Sequence, residues 1–406
     1  MINIYNKIIR KLVFGWVCDK RVRKKIILNN IFVSSFFDLF PIKQFIKTML
    51  KLGIIGAGRL GSFHADKAAS HEAVELVGVF DPFEPARKNL AQKYHIQEYL
   101  TVEELIPTVD AVVIASPTLL HYKLGEICLK NSLHVLMEKP MCSSWDNAQK
   151  LVEIAQQNGV IFQIGHVEAF NPAWCVAQEE LQEVKNGSPA IIDAVRTSGY
   201  TFRSTDIGTV FDMMIHDLDL VLSLIPSPVV WVNAAGFNTL NSPHEDVADA
   251  QIRFENGTIA RFYSSRIASD TAREMRITSM SCSVTIDFAT RTVKKYQPDK
   301  LVLQGIFNPE HVSPDSAAKL APNFMKEHFL ITELTSETVP TLTAVDALAK
   351  EMDDFVESVQ TGRQPRVSGC RALRAIAVAE TIVESIRKKT PIHFDSQKFK
   401  ETGLIT

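Results

Sequence analysis

Cysteine is scarce in this chain and scattered. The six residues Cys18, Cys128, Cys142, Cys175, Cys282 and Cys370 form no CxxC pair and meet no histidine at zinc-ligand spacing. A structural metal site is thereby excluded, no metal is expected, and a reducing, cytoplasmic compartment follows. Cys142 stands just after Glu138-Lys139-Pro140, where a nucleophile would be conceivable, but no neighbour in sequence would activate it, so a buried thiol is expected. Net charge is lacking too: 44 Lys and Arg against 46 Asp and Glu leave −2. Residues 1–48 hold ten Lys or Arg and two Asp, so the remainder carries −10 and offers no clustered basic face for phosphates, which excludes nucleic acid as a partner. The basic, aromatic first 48 residues also lack a long hydrophobic run. Their longest uncharged stretch, 26–37, has twelve residues, against about 20 needed to cross a bilayer. The apolar run 12–17 is too short for a secretory core and no cleavage site follows it, so neither export nor a transmembrane segment is expected. Residues 1–48 read as an extension, either lying on an anionic membrane surface or translated upstream of a natural start at Met49, the preferred reading. Repeats and low-complexity tracts are absent.

What is present begins at residue 51. Lys-Leu-Gly-Ile-Ile-Gly-Ala-Gly-Arg-Leu-Gly runs from an apolar strand into a helical stretch, and Val-Glu-Leu-Val-Gly-Val-Phe-Asp follows. In this dinucleotide fingerprint Gly56 makes the tight turn, Gly58 lets a pyrophosphate approach the backbone and Gly61 lets the helix pack on the strand, while the helix start at Arg59 and Leu60 presents free amides. Asp81 ends the second strand 20 residues beyond Gly61. A carboxylate there accepts hydrogen bonds from an adenosine ribose and repels a 2′-phosphate, which favours NAD over NADP.

With 406 residues, 46% of them hydrophobic and 22% charged, the chain is long and apolar enough for about two globular domains. Apolar runs at 52–55, 74–80, 111–115, 133–137 and 160–164 alternate with helical patterns at 60–69, 85–93, 119–130 and 144–156, which predicts a doubly wound parallel sheet covered on both faces. Beyond Gly165 the rhythm changes. A helix over 174–184, a strand over 190–197 and a long helix over 209–225 precede strands in series at 229–235, 248–254, 258–264, 274–280, 283–288 and 293–296. Residues 306–323 lack periodicity and read as a loop, and helices over 343–361 and 369–388 close the chain. The expected architecture is α/β, with a Rossmann domain over 49–170 and an α+β domain over 171–406 built on a large, mostly antiparallel sheet whose exposed face suits a homo-oligomer.

Ser116-Pro117-Thr118 and Glu138-Lys139-Pro140 both follow strands, at the carboxyl edge where open α/β sheets bind ligands. An ammonium fixed at Lys139 suits hydrogen bonding to a substrate hydroxyl and polarising the ketone it becomes; paired with Glu138 it would be an ordinary surface lysine. Within Val210-Phe211-Asp212-Met213-Met214-Ile215-His216-Asp217-Leu218-Asp219 a helix would put Asp212 and His216 on one face, where the carboxylate raises the imidazole's proton affinity and suits it to take the hydroxyl proton. Periodicity alone favours a core stripe of Met213, Met214, Ile215, Leu218, Leu220 and Val221 with a satisfied interior histidine.

GxGxxG, Glu-Lys-Pro, Gly-His and Asp-x-x-x-His in this order resemble the Gfo/Idh/MocA oxidoreductases over about residues 50–395. The resemblance implies that Lys139, Asp212 and His216 form the catalytic group, and that a sugar sits between the nicotinamide and the open face of the second sheet. Gly165-His166-Val167-Glu168-Ala169-Phe170-Asn171-Pro172 and Phe202-Arg203-Ser204-Thr205-Asp206-Ile207-Gly208 look like the UDP-N-acetylglucosamine 3-dehydrogenase subgroup, which usually has Arg where this chain has Ala169. His166, Glu168 and Asn171 then become sugar contacts, Arg203 a diphosphate contact, and Tyr200 or Phe202 a base platform. Ser116, Pro117, Thr118, His121 and Glu138 fall to the nicotinamide side. The expected function is NAD-dependent oxidation of a nucleotide-sugar hydroxyl; a free sugar or inositol as substrate, or a non-catalytic cofactor-bound sensor, are the alternatives.

Overall fold

A computed structural model describes residues 49–240, 243–305, 308–321, 323–335, 338–339 and 341–394. Residues 1–48, and both expectations placed on them, lie outside the described residues. Six parallel strands, β1 (Leu50–Ile55), β2 (Val74–Phe80), β3 (Gln97–Tyr99), β4 (Ala111–Ile114), β5 (His134–Glu138) and β6 (Phe162–Gly165), form one sheet in the order β3-β2-β1-β4-β5-β6. β4 is buried at every position, as its unbroken apolar run requires in a sheet covered on both sides. The crossover helices are α1 (Arg59–Ser70), α2 (Glu84–Tyr94), α3 (Thr118–Lys130) and α4 (Trp145–Asn158). β3, three residues long, falls below the length at which alternation shows in a sequence.

After α5 (Pro172–Glu180) come β7 (Ile191–Thr197), a helical turn and α6 (Ile215–Leu224). Strands β8 (Val229–Phe237), β9 (Val247–Phe254), β10 (Ile259–Ser265), β11 (Ala272–Thr278), β12 (Ser283–Asp287), β13 (Thr292–Pro298), β14 (Phe329–Leu334) and β15 (Ile392–His393) then pair with β7 in the order β14-β13-β12-β11-β7-β10-β9-β8-β15. Within this second sheet only β7 with β10 is parallel among the described pairs. The long helices α7 (Ala347–Thr361) and α8 (Gly369–Lys388) close the chain. The second sheet buries one face: β10 alternates with Ala260 and Phe262 inside and Arg261 and Tyr263 outside.

Two expectations need correction. Residues 306–323 are not a plain loop, since a helix spans Pro314–Leu320; the Ser313 side chain accepts from the Ser316 amide and Pro314 sets the first helical φ, a short start signal lost among polar residues. The helix expected over 209–225 opens as a π-helical turn, Val210–Met214, before α6. The last helices also reach back to the first sheet. α8 packs on α4 and α6, the Ile164 amide donates to the Val367 carbonyl at 3.0 Å, and Met352, Phe355 and Val356 of α7 share a core with Leu52, Ile54 and Ala65.

Candidate active site

The glycine-rich turn between β1 and α1 is shaped for close approach. Gly56 has φ +102°, and a Cβ there would lie 2.6 Å from the Ala115 carbonyl oxygen; at Gly61 a Cβ would lie 1.8 Å from the Gly56 oxygen. At Gly58 a Cβ would meet nothing within 4 Å, so the turn has open space in front of it, beside the amides that start α1 at the exposed Arg59 and Leu60. Asp81 accepts from the Ala57 amide at 2.6 Å and the Phe83 amide at 2.7 Å, which fixes its carboxylate at the end of β2 with lone pairs to spare for a ribose. Glycines that tolerate no side chain, an open front and a fixed acid together fit a dinucleotide.

Behind the cradle, Glu138 is committed inward. Its Oε1 is 2.7 Å from His64 Nε2 on α1, and its Oε2 accepts the Lys139 amide at 3.2 Å. His64 pulls the Glu138 pKa down against the upward push of burial, so the carboxylate stays ionised. His121 on α3 ties two loops together, with Nδ1 2.8 Å from the Pro140 carbonyl oxygen and Nε2 2.9 Å from that of Ser116. Thr118 is buried, whereas Ser116 and Pro117 border the opening.

Lys139 leaves the first sheet and reaches the second domain. Its Nζ donates to the Asp212 carbonyl at 2.6 Å and to Asp212 Oδ1 at 2.9 Å, with both side chains mostly covered. A π turn breaks the i to i−4 bonding pattern, which is why a main-chain carbonyl here is free to take a lysine. His216 follows on α6. Part of its ring is accessible, its Nδ1 is buried with no hydrogen-bond partner, and the His166 ring stands edge-on at 6.1 Å between centroids. Burial first, then the charge of Lys139 and those of Arg196, His166 and Arg273, hold His216 well below the ordinary imidazole pKa and keep it neutral. The sequence expectation that the Asp212 carboxylate raises the proton affinity of His216 is not met: no hydrogen bond joins them, and the carboxylate holds Lys139 instead. Cys142 is buried and its thiol is pushed up to about 12, in keeping with an inert role.

The description of one family model, an oxidoreductase family with NAD-binding Rossmann fold, matches residues 50–166, and that of its companion C-terminal alpha/beta domain matches residues 175–394. The chain belongs to the Gfo/Idh/MocA oxidoreductases. A UDP-N-acetylglucosamine 3-dehydrogenase from Acidithiobacillus ferrooxidans is 31% identical over 330 residues, covering 81% of this chain and 95% of that protein. Its solved structure superposes with a TM-score of 0.69 at 28% identity, covering 84% of this chain and 98% of that one. A scyllo-inositol 2-dehydrogenase (NAD(+)) from Bacillus subtilis is 24% identical, covering 86% of this chain and 97% of that protein.

The residues that the sequence assigns to a sugar divide in this oxidoreductase. His166 is buried with neither ring nitrogen hydrogen-bonded, and it faces His216. Tyr200 and Phe202 stack edge to face at 5.0 Å, Phe202 is 85% exposed, and Arg203 is exposed beside them. Glu168 and Asn171, by contrast, are buried and bonded within the protein. Glu168 accepts from Arg196 at 3.0 Å and from Asn171 at 2.9 Å, and the Asn171 oxygen caps α5 through the Ala173 amide at 3.0 Å. Ala169 is fully buried in the core. Sequence reasoning missed Arg196, Arg371, which pairs with Asp219 at 2.6 Å, and Glu351, buried with neither carboxylate oxygen hydrogen-bonded among the described residues. His64 alone left a signal: three residues past Gly61, it shares that glycine's helix face toward the sheet.

Proposed function

We propose that this oxidoreductase oxidises a secondary hydroxyl of a nucleotide sugar, with UDP-N-acetylglucosamine at C3 as the specific substrate and NAD as acceptor. The observation that carries the reading is the meeting of Lys139 from the first domain with the π turn that leads into a neutral His216. When bound, the dinucleotide supplies the hydride acceptor, so a CH–OH loses a hydride to it and a proton to the protein, leaving C=O. An unprotonated His216 suits that proton, and its lowered proton affinity keeps it ready across the neutral range. Lys139, locked by Asp212, donates to the oxygen that becomes the carbonyl. Asp81 favours NAD by repelling a 2′-phosphate. The exposed Phe202 and Arg203, with the half-buried Tyr200 beside them, form an aromatic and cationic loop suited to a nucleoside diphosphate, and the similarity to a UDP-N-acetylglucosamine 3-dehydrogenase agrees.

A free sugar or inositol would use the same three residues, and the similarity to an inositol dehydrogenase favours that second reading. Purified protein with NAD or NADP and a panel of UDP-sugars, hexoses and inositols separates them through absorbance of the reduced cofactor. Turnover confined to UDP-sugars upholds the proposal. Turnover confined to free polyols replaces the substrate, and cofactor binding with no turnover on any member indicates a sensor.

A further inference from the structure

Within the segment Gly165–Pro172, singled out in the sequence for sugar contacts, Glu168 and Asn171 feed a buried chain of charge that ends beside His216. Arg196 lies on β7 with its side chain 5% exposed. Its Nε and Nη2 donate to the two carboxylate oxygens of Asp217 at 2.9 and 2.8 Å, and its Nη1 donates to Glu168 Oε1 at 3.0 Å. Glu168 Oε2 is in turn held by Asn171, which also donates to the Phe288 carbonyl at 3.3 Å, and the Arg196 guanidinium stands 5.8 Å from the Phe288 ring centroid. Asp217 is the residue after His216. The fork therefore anchors the first turn of α6 to the second sheet, and the hinge after β6 anchors the fork.

We propose that Arg196 is a positioning residue for the reaction, seating the His216 turn through Asp217 while Glu168 fixes the guanidinium. This rests on the reading of His216 as the proton acceptor. A two-point Arg–carboxylate contact resists rotation of the helix turn in a way that one hydrogen bond does not. His216 makes no hydrogen bond of its own among the described residues, so its placement comes from the backbone and its neighbours. The strongest charges acting on it are Lys139 at the end of β5, Arg196 on β7, His166 after β6 and Arg273 on β11, all disfavouring its protonated form, while the carboxylates of Glu168 and Asp217 on Arg196 offset that guanidinium. Among the cations, Arg196 is the one also bonded to the adjoining residue of α6.

The test titrates the His216 ring by NMR in the full chain without ligand, its signal assigned by its disappearance in His216→Gln. Arg196→Met is expected to move that titration to higher pH and Glu168→Gln to lower pH, because one removes a nearby positive charge and the other the carboxylate that offsets it. With NAD and UDP-N-acetylglucosamine, Arg196→Met should lose about 100-fold in kcat, with KM changing far less, as misplacement by about 1 Å predicts. Arg196→Lys, which keeps the charge without the fork, should restore the titration but recover only part of kcat. Should Arg196→Met fail to fold, Glu168→Gln and Arg196→Lys still decide the matter. Titration unmoved in Arg196→Met and Glu168→Gln, or parental kcat in Arg196→Lys, overturns the role of Arg196. An acid limb of kcat that persists in an active His216→Gln instead overturns the base reading on which it stands.

Discussion

Lys139 spends two donors on Asp212, one on a carboxylate and one on a main-chain carbonyl, so its ammonium is aimed before any substrate arrives. Lys139→Ala should lower turnover by about 10²–10⁴-fold, the range of a positioned proton donor, while NADH affinity measured by fluorescence titration stays near the parent value. A second residue gives a pH-dependent prediction for stability. Glu351 is fully buried, and burial first, then the charges of Glu138 and Asp354, raise its pKa well above the ordinary carboxylate range. It is neutral in the folded protein and ionises near pH 4.3 once unfolded, so the unfolded chain holds fewer protons and stability falls as pH rises above about 4. Glu351→Gln titrates in neither state. Urea unfolding should show the variant gaining on the parent between pH 4 and pH 7; a difference constant with pH would show the carboxyl ionised in the folded protein. The glycine triplet and Asp81 were legible from local spacing, whereas Lys139 lies 73 residues before Asp212, so only the resemblance to the family, and no local pattern, put Lys139, Asp212 and His216 together. The bonds of Glu168 to Arg196 and of Asn171 to the Phe288 carbonyl were not legible, because those partners lie far along the chain and no local pattern announces such a pairing.

Apolar runs and helical patterns were legible, whereas very short strands and β14, whose residues stay largely exposed, were not. The alternation of apolar runs with helical patterns located five of the strands in the first sheet, whereas β3 and β15, with three and two residues, carry no period to read. The π turn was hidden for a different reason: an extra residue in one turn leaves the apolar stripe on either side intact, so Val210–Met214 reads as ordinary helix. The junction of β1 with α1 is where an element-scale change should be most damaging. Gly61→Ala would drive a methyl into the Gly56 carbonyl, which lies 1.8 Å from the position a Cβ would take. The helix must then withdraw from the turn. NADH binding by fluorescence should be lost in this variant while the second sheet's core, which the change does not touch, keeps its packing. Binding at parental affinity would mean the turn relaxes freely.

At the scale of the molecule, the two sheets are joined by more than the segment between them. α8 bridges them by packing on α4 and β6 on one side and on β8 and α6 on the other. α7 puts Met352, Phe355 and Val356 into the core beneath β1. Sequence periodicity identified both helices but not their destinations, because an apolar stripe says that a face is buried and not against what. Phe355 is fully buried, so Phe355→Ala should cost about 3–5 kcal/mol in chemical denaturation, and NADH affinity should fall in step with the folded fraction. Unfolding confined to the second sheet, with NADH binding unchanged, would contradict that packing. No helix of the described residues is long and apolar enough to cross a membrane.

The reach of α7 into the nucleotide half also orders events during synthesis. The strand that carries the glycine turn leaves the ribosome about 300 residues before Met352, Phe355 and Val356 do, so the nascent nucleotide half emerges with one wall of its interior missing. A chain interrupted before residue 347 would leave that wall bare, and such a fragment should be taken up by chaperones or degraded rather than persist as a free-standing cofactor-binding module.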